Sequence, residues 1–142
     1  MLIRMGFFEN FKGSDVILLD GDSLAILKLA ELLRGLEGRH SVVLPIHELQ
    51  FVAAYQGVQL IAHPVSKERG VRRSHPQNPC FTWEHSEEGW LEASEKIEQL
   101  AHSAHGHQWL GSVGTADATV FVSLNEYGDQ LWSQHAMLAG RD

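Results

Sequence analysis

Residues 88–104 read EGWLEASEKIEQLAHSA and carry the clearest helical pattern in the chain. The apolar residues of this stretch recur at helical spacing, and glutamate, lysine and glutamine fill the other face. Ser86 precedes the stretch as a candidate N-cap, because its hydroxyl can accept a bond from a free backbone N–H. The pattern predicts a helix over about Glu88 to Ala104 that docks on a sheet through Trp90, Ile97 and Leu100.

Short apolar segments outside this helix predict strands. They are Leu2–Phe8, Val16–Leu19, Ser41–Leu44, Val58–Ile61, Cys80–Trp83 and Ala118–Leu124. A first helix is predicted from Leu24 to about Gly35, with Asp22 or Ser23 as its N-cap. Most strands lie too close along the chain for crossover helices, which favours antiparallel pairing. We expect one α+β domain over residues 1–142, a mainly antiparallel sheet of about five to six strands and two main helices.

The composition is that of a globular cytoplasmic domain. The chain has 142 residues, of which 44% are hydrophobic and 20% are charged. No apolar run reaches the ~18 residues of a membrane span, and the opening segment is too short for a signal peptide. Cys80 is the only cysteine, which excludes an internal disulfide and a cysteine-based zinc finger. These features predict a cytoplasmic protein with no membrane partner.

The negative charge is concentrated in the second half of the chain. The formal net charge is −7, and residues 72–142 carry −6 of it, with 4 Lys and Arg against 10 Asp and Glu. An acidic surface repels phosphate backbones, so we expect no direct nucleic-acid binding. The same surface attracts a basic protein and steers its approach.

The candidate binding surface combines three glutamates of the late helix with the acidic and aromatic segment near the C-terminus. Glu92, Glu95 and Glu98 step by three along the helix and lie within about 10 Å of one another. The C-terminal members are Glu126, Tyr127, Asp129 and Trp132. Exposed aromatic residues beside carboxylates are typical anchors of protein interfaces. Trp132 has two interpretations, because it either caps the core or stays partly exposed.

Three histidines form a candidate metal site. His102 and His105 share a helix face, and His105 and His107 share a face if the chain becomes extended at Gly106. Imidazole suits zinc and nickel, so these residues are the candidate ligands for either metal. The alternative needs no metal, because imidazolium near a helix C-terminus is favoured by the helix dipole. We expect no bound cofactor unless the fold supplies further ligands.

The segment Val16-Ile-Leu-Leu-Asp20-Gly-Asp22 resembles the nucleophile motif of haloacid-dehalogenase-type phosphatases. The resemblance implies that Asp20 attacks phosphorus, that Asp22 acts as acid and base, and that Mg²⁺ lies beside them. It covers about eight residues and departs from the family pattern at Ser23-Leu24. The alternative interpretation is a turn that leads into a capped helix.

The region from Glu87 to Trp132 resembles the small acidic α+β immunity proteins of bacterial toxin systems. It contains a Gly-Trp-x-x-Ala helix at Gly89–Ala93 and a final strand that leads into Asn125-Glu-Tyr-Gly-Asp129. The resemblance implies an inhibitor whose carboxylates engage a toxin's basic active site.

Two classes of function follow. The favoured one is a protein-binding module, an inhibitor or immunity-type protein that engages a basic partner through its acidic surface. The alternative is a small metal-dependent or phosphoryl-transfer hydrolase that uses the three histidines or Asp20 and Asp22. No complete catalytic set is visible in the sequence, which favours the binding module. The sequence identifies neither the partner nor the oligomeric state.

Overall fold

The fold was analysed in a computed structural model that describes residues 1–36, 42–110 and 116–139, with side chains up to residue 134. The strands are β1 (Ile3–Phe11), β2 (Ser14–Gly21), β3 (Leu44–Pro45), β4 (Val52–Ala54), β5 (Gln59–Pro64), β6 (Gly70–Arg73), β7 (Cys80–His85), β8 (His107–Leu110) and β9 (Thr119–Leu124). The helices are α1 (Ser23–Arg34), α2 (Glu87–Ala101) and α3 (Asp129–Ala139), and a 3-10 turn spans Ile46–Glu48. No helix among these residues is long and apolar enough to cross a membrane.

The strands form two sheets, and both mix parallel and antiparallel pairs. The five-stranded sheet has the order β4-β1-β2-β9-β8, and the four-stranded sheet has the order β3-β5-β7-β6. Four of the seven pairings among the described strands are antiparallel, and β1–β4, β2–β9 and β5–β7 are parallel. The predicted α+β class is therefore confirmed, with more strands than expected and with mixed sheets.

The β1–β2 hairpin closes through a two-residue turn, Lys12-Gly13. Both residues have positive φ, 51° and 88°, which is the backbone of a type I′ turn. The turn places Phe11 opposite Ser14. After a register shift between Phe8 and Phe11, the ladder runs from Phe8 opposite Val16 to Ile3 opposite Gly21. The strands predicted at Leu2–Phe8 and Val16–Leu19 thus form an antiparallel pair.

Helices α1 and α2 pack against each other and close the main core. Asp22 caps α1 by accepting a bond from Ala25 N at 2.9 Å, and Ser86 caps α2 by accepting from Gly89 N at 3.3 Å. Ile97 is fully buried, and it shares one apolar cluster with the inner faces of both sheets. The predicted docking stripe of α2 is confirmed, since Trp90 and Leu100 are buried beside it.

A second, smaller core lies on the opposite face of the five-stranded sheet. Successive strand residues point to opposite faces, so Val120 and Val122 face the main core while Phe121 faces away from it. Trp132 of α3 packs there with Val16 and Leu18, and only 1% of the Trp132 surface is exposed. This placement agrees with the core-capping interpretation of Trp132.

Four elements were not expected from the sequence: β4, β6, β8 and α3. Each of the three strands has only three or four residues, too few to show a regular alternation. Helix α3 begins at Asp129, in a segment for which the sequence predicted no helix. The predicted strand Ser41–Leu44 lies partly outside the described residues, and the structure shows β3 at Leu44–Pro45.

Candidate protein-binding surface

The exposed face of α2 carries two of the three glutamates predicted for the helix part of the binding surface. Glu92 and Glu95 are exposed, as are Glu87 and Glu88 in the first turn, where the helix dipole favours negative charge. Lys96 is the local basic residue, and its Nζ lies 3.1 Å from Glu92 Oε1. This face therefore presents a row of carboxylates to solvent with one lysine among them.

Glu98 differs from its neighbours, because it is tied to the adjacent helix. Its Oε2 accepts a hydrogen bond from Arg34 Nη1 of α1 at 3.3 Å, and the glutamate is half-buried. Each partner side chain is about 40% exposed, so the pair adds little to stability. The Glu98 charge is partly neutralised within the molecule, and Glu92 is paired with Lys96, so Glu95 is the most available member of the predicted trio.

The C-terminal acidic residues are engaged by internal partners. Glu126 Oε1 lies 2.9 Å from His107 Nδ1, and Asp129 Oδ1 lies 2.6 Å from Arg4 Nη2. Trp132 is buried, so its indole is not part of the surface. Tyr127 is half-buried, with its ring against Phe11 and Phe121. These four residues lie together around the start of α3.

The two halves of the predicted surface lie on opposite faces of the five-stranded sheet. Helix α2 contributes Ile97 and Leu100 to the main core, whereas α3 contributes Trp132 to the second core. A folded sheet thus separates the α2 glutamates from the carboxylate-bearing segment around Tyr127. They do not form one continuous surface, so each half has to be considered as a binding site by itself.

The three histidines of the candidate metal site are placed on different local structures. His102 is the C-cap residue of α2, His105 lies in the following loop, and His107 lies on β8. All three are exposed. Within the part of the chain that the structure describes, no group of three or more His, Cys, Asp and Glu residues is arranged to hold a metal ion. His107 instead pairs with Glu126 and stacks on Phe121, with ring centroids 4.8 Å apart.

Asp20 anchors the turn between β9 and α3. Its Oδ1 accepts bonds from Ser123 Oγ at 2.7 Å and from Glu126 N at 2.9 Å, and its Oδ2 accepts from Tyr127 N at 3.4 Å. Only 4% of the Asp20 surface is exposed. Both carboxylate oxygens are thus occupied by groups of the protein, and the side chain connects segments more than 100 residues apart.

Asp22 and Gly21 also have structural roles. Asp22 accepts from Ala25 N at the start of α1 and from Leu2 N at 2.8 Å. At Gly21 a Cβ would lie 2.6 Å from the Leu2 carbonyl oxygen, so the close approach of β1 to β2 requires glycine there. Every residue of the Asp20-Gly-Asp22 motif is therefore used in holding the strand end and the helix start.

A polar cleft of about 290 Å³ opens beside this motif. Its lining residues are Leu2, Arg4, Asp20, Asp22, Asn125, Tyr127 and Asp129. The cleft thus gathers three carboxylates around one guanidinium. None of the described residues that line it is a histidine, so the carboxylates and the candidate histidines do not converge.

The two carboxyls of the motif have opposite pKa shifts. Burial raises the pKa of Asp20 above its ordinary value of 3.8, and the bonds from Ser123, Glu126 and Tyr127 offset only part of that effect. Burial also acts to raise the pKa of Asp22, but the bonds from Ala25 N and Leu2 N outweigh it, and that pKa falls below 3.8.

These shifts predict stability changes of opposite sign as the pH rises. Folded Asp20 holds its proton more tightly than the unfolded chain, so protonation stabilises the fold at low pH. That contribution is lost as pH rises from 3.8 through the raised pKa. The free energy of unfolding of the parent, compared with that of Asp20→Asn, should therefore fall as the pH rises through this range. Urea titrations from about pH 3.5 to about pH 7 measure the difference.

Asp22→Asn is the matched control. The lowered pKa of Asp22 stabilises the fold above 3.8, and this contribution is lost as pH falls through the depressed value. Relative to Asp22→Asn, the parent should gain stability as pH rises. If the stability difference between parent and variant changes with pH in the same direction for Asp20→Asn and Asp22→Asn, the opposite pKa shifts of the two carboxyls are contradicted.

A half-buried polar cluster at the start of α2 was not predicted from the sequence. Glu68, in the loop before β6, has Oε2 2.5 Å from His85 Nδ1 and accepts at Oε1 from Ser86 N and Oγ, at 2.8 and 2.7 Å. Burial disfavours its charge, but the bonds from Ser86 and His85 outweigh this and lower the pKa of Glu68. The adjacent pair His85-Ser86 was the only local signal, since Glu68 is distant in sequence.

Comparison with known proteins gives no match to a protein-family model, a curated protein or a solved structure.

Proposed function

We propose that the protein is a protein-binding module, an inhibitor or immunity-type protein that engages a basic partner through the exposed face of α2. The observation that carries the proposal is the row of exposed glutamates on this helix, of which Glu92 and Glu95 lie near its middle. Carboxylates at this spacing repel one another, at a cost of a few tenths of a kcal/mol per like-charge pair. Lysine and arginine side chains of a partner relieve that repulsion and gain fast, salt-sensitive association.

The α2 face is preferred to the C-terminal segment because Glu87, Glu88 and Glu95 have no ion pair among the described residues, whereas both C-terminal carboxylates are paired. Glu126 and Asp129 are each paired with a basic side chain of the protein, at 2.9 and 2.6 Å. A partner would have to compete with His107 and Arg4 for these carboxylates. Glu95 has no ion pair among the described residues, and its charge is available to a partner.

The hydrolase alternative is supported by the polar cleft and by the opposite pKa shifts of Asp20 and Asp22. A nucleophilic carboxylate needs a free oxygen, however, and both oxygens of Asp20 accept hydrogen bonds from the protein. Asp22 is likewise occupied by Ala25 N and Leu2 N. These contacts favour a structural role for the motif and support the binding module.

The test is charge reversal at the two exposed glutamates near the middle of α2. Glu92→Lys combined with Glu95→Lys should slow association with the partner about tenfold at low salt, because it removes the attractive field. The probes are the purified proteins encoded next to this protein's own gene, and association rates are measured at about 50 mM and about 500 mM salt. Glu98 is left intact, since a lysine there would face Arg34.

Glu9→Lys combined with Glu48→Lys is the matched control. Both residues are exposed and lie outside α2, and the change in net charge is the same. The control should associate at nearly the parent rate. Equal slowing in both variants would show a net-charge effect and no α2 interface. A parent chain that binds none of these proteins at low salt would contradict the proposed function itself.

A further inference from the structure

Three aromatic rings surround the ammonium group of Lys12 at the tip of the β1–β2 hairpin. Lys12 Nζ lies 6.0 Å from the ring centroid of Phe11, 5.3 Å from that of Phe121 and 5.9 Å from that of Tyr127. These distances are within the range in which a cation is attracted by the negative face of an aromatic ring. One ammonium therefore contacts three rings from three different parts of the chain.

The three rings also contact one another at steep angles, as the walls of a cage do. Phe11 meets Phe121 at 71° with centroids 5.9 Å apart, and it meets Tyr127 at 63° and 5.5 Å. Phe121 and Tyr127 meet at 66° and 6.3 Å. We propose that Phe11, Phe121 and Tyr127 form an aromatic cage for a quaternary ammonium group, and that Lys12 fills this cage as an internal occupant that such a ligand displaces.

The rigid surroundings hold the cage in shape. Phe121 is fully buried on β9, and it is supported by the stacked His107 ring and by the edge of Trp109 at 4.5 Å. Tyr127 is positioned by its backbone N–H, which donates to the buried carboxylate of Asp20. Phe11 is set by the β1–β2 ladder. The walls therefore do not depend on Lys12 for their positions.

The internal occupant is able to leave. Lys12 is exposed, and Phe11 and Tyr127 are half-buried, so the ammonium can move into solvent without opening the main core. A primary ammonium is strongly hydrated, whereas a quaternary ammonium loses little hydration when it enters an aromatic site. The net charge of −7 further favours cationic ligands. These properties select an alkylated ammonium ligand over the protein's own lysine.

The turn offers a variant that empties the cage without straining the backbone. Lys12 has φ 51°, in the left-handed region that asparagine tolerates better than lysine, and Gly13 follows it. Asn-Gly is the preferred sequence of a type I′ turn, so Lys12→Asn keeps the hairpin. This variant should bind choline about fivefold more tightly than the parent, because no internal ammonium competes.

Choline is titrated into both proteins, and binding is followed by NMR shifts of the Tyr127 ring protons. In the parent, the ε-methylene protons of Lys12 give a second readout, since they should lose their ring-current shift as choline displaces the side chain. The neutral isostere 3,3-dimethyl-1-butanol should not bind, because it has the shape of choline without the charge. Tyr127→Leu in the Lys12→Asn background keeps the backbone bond to Asp20 and should abolish choline binding.

A peptide with one trimethyllysine, titrated beside choline, separates two sources of the ligand. Equal affinity assigns the site to free small molecules, and tighter binding of the peptide assigns it to a protein side chain. The inference is overturned if folded Lys12→Asn shows no saturable choline binding up to about 100 mM, or if the neutral isostere binds equally well. It does not depend on the α2 interface, and Glu92→Lys with Glu95→Lys should leave choline binding unchanged.

Discussion

Ile97→Ala should lower the free energy of unfolding by about 2–5 kcal/mol. Ile97 is fully buried where α2 meets the main core, and its removal leaves a cavity among side chains of both sheets and both packed helices. The cost is the lost burial of the side chain together with the cavity that the surroundings cannot fill. Urea-induced unfolding followed by tryptophan fluorescence gives the difference, with Trp90 as a reporter on the same helix.

Glu95→Ala is the control on the same helix. Glu95 is exposed, and alanine is a better helix former, so the stability should change by less than about 0.5 kcal/mol. A loss at Glu95 as large as that at Ile97 would mean that α2 is oriented differently on the core.

Gly89→Ala should destabilise the protein by about 2 kcal/mol or more, although the same change in an ordinary helix stabilises by about 1 kcal/mol. A Cβ at residue 89 would overlap Glu68 Oε1 and lie 2.9 Å from His85 Nδ1. The methyl group would expel the Glu68 carboxylate, and the ring of His85, which is 7% exposed, would lose its hydrogen-bond partner. The diagnostic result is that alanine lowers the free energy of unfolding here, whereas it raises this free energy in an ordinary helix. The same urea-induced unfolding assay measures the change.

The double variant Glu68→Ala with Gly89→Ala isolates the cause. Once Glu68 is truncated, the added methyl group meets no carboxylate, so Gly89→Ala should cost much less in that background, where only its contact with His85 Nδ1 remains. If the glycine change remains equally harmful without the Glu68 side chain, the clash with that carboxylate is not its origin.

Local pattern was sufficient to predict the helices of the main core. The apolar stripe of Trp90, Ile97 and Leu100 repeats with the helical period, and Asp22 and Ser86 both proved to be N-caps. The parallel pairing of β2 with β9 was not predictable in this way, because its register joins Val16 to Thr119 across most of the chain. Only the complete tertiary structure selects such a neighbour.

Only part of the candidate site could be predicted, because some of its features depend on contacts between residues that are distant in sequence. Exposure of Glu92 and Glu95 follows from the helical period, which a local pattern reveals. The internal pairing of Glu98, Glu126 and Asp129 depends on Arg34, His107 and Arg4, which are 64, 19 and 125 positions away in sequence. Burial of Trp132 depends on a second core whose members come from β2, β9 and α3. The spacing of residues along the sequence does not show which distant residues contact each other in the fold.

The central position of β2 has a consequence for synthesis on the ribosome. The β1–β2 hairpin emerges first, but the second edge of β2 stays open until β9 has been translated, about a hundred residues later. That edge exposes the backbone of the apolar residues 16–19 and is a template for pairing with other chains. During this interval the open edge makes the nascent chain prone to aggregation. A chain that stops before residue 119 lacks β9, and we expect it to aggregate because the second edge of β2 stays unpaired.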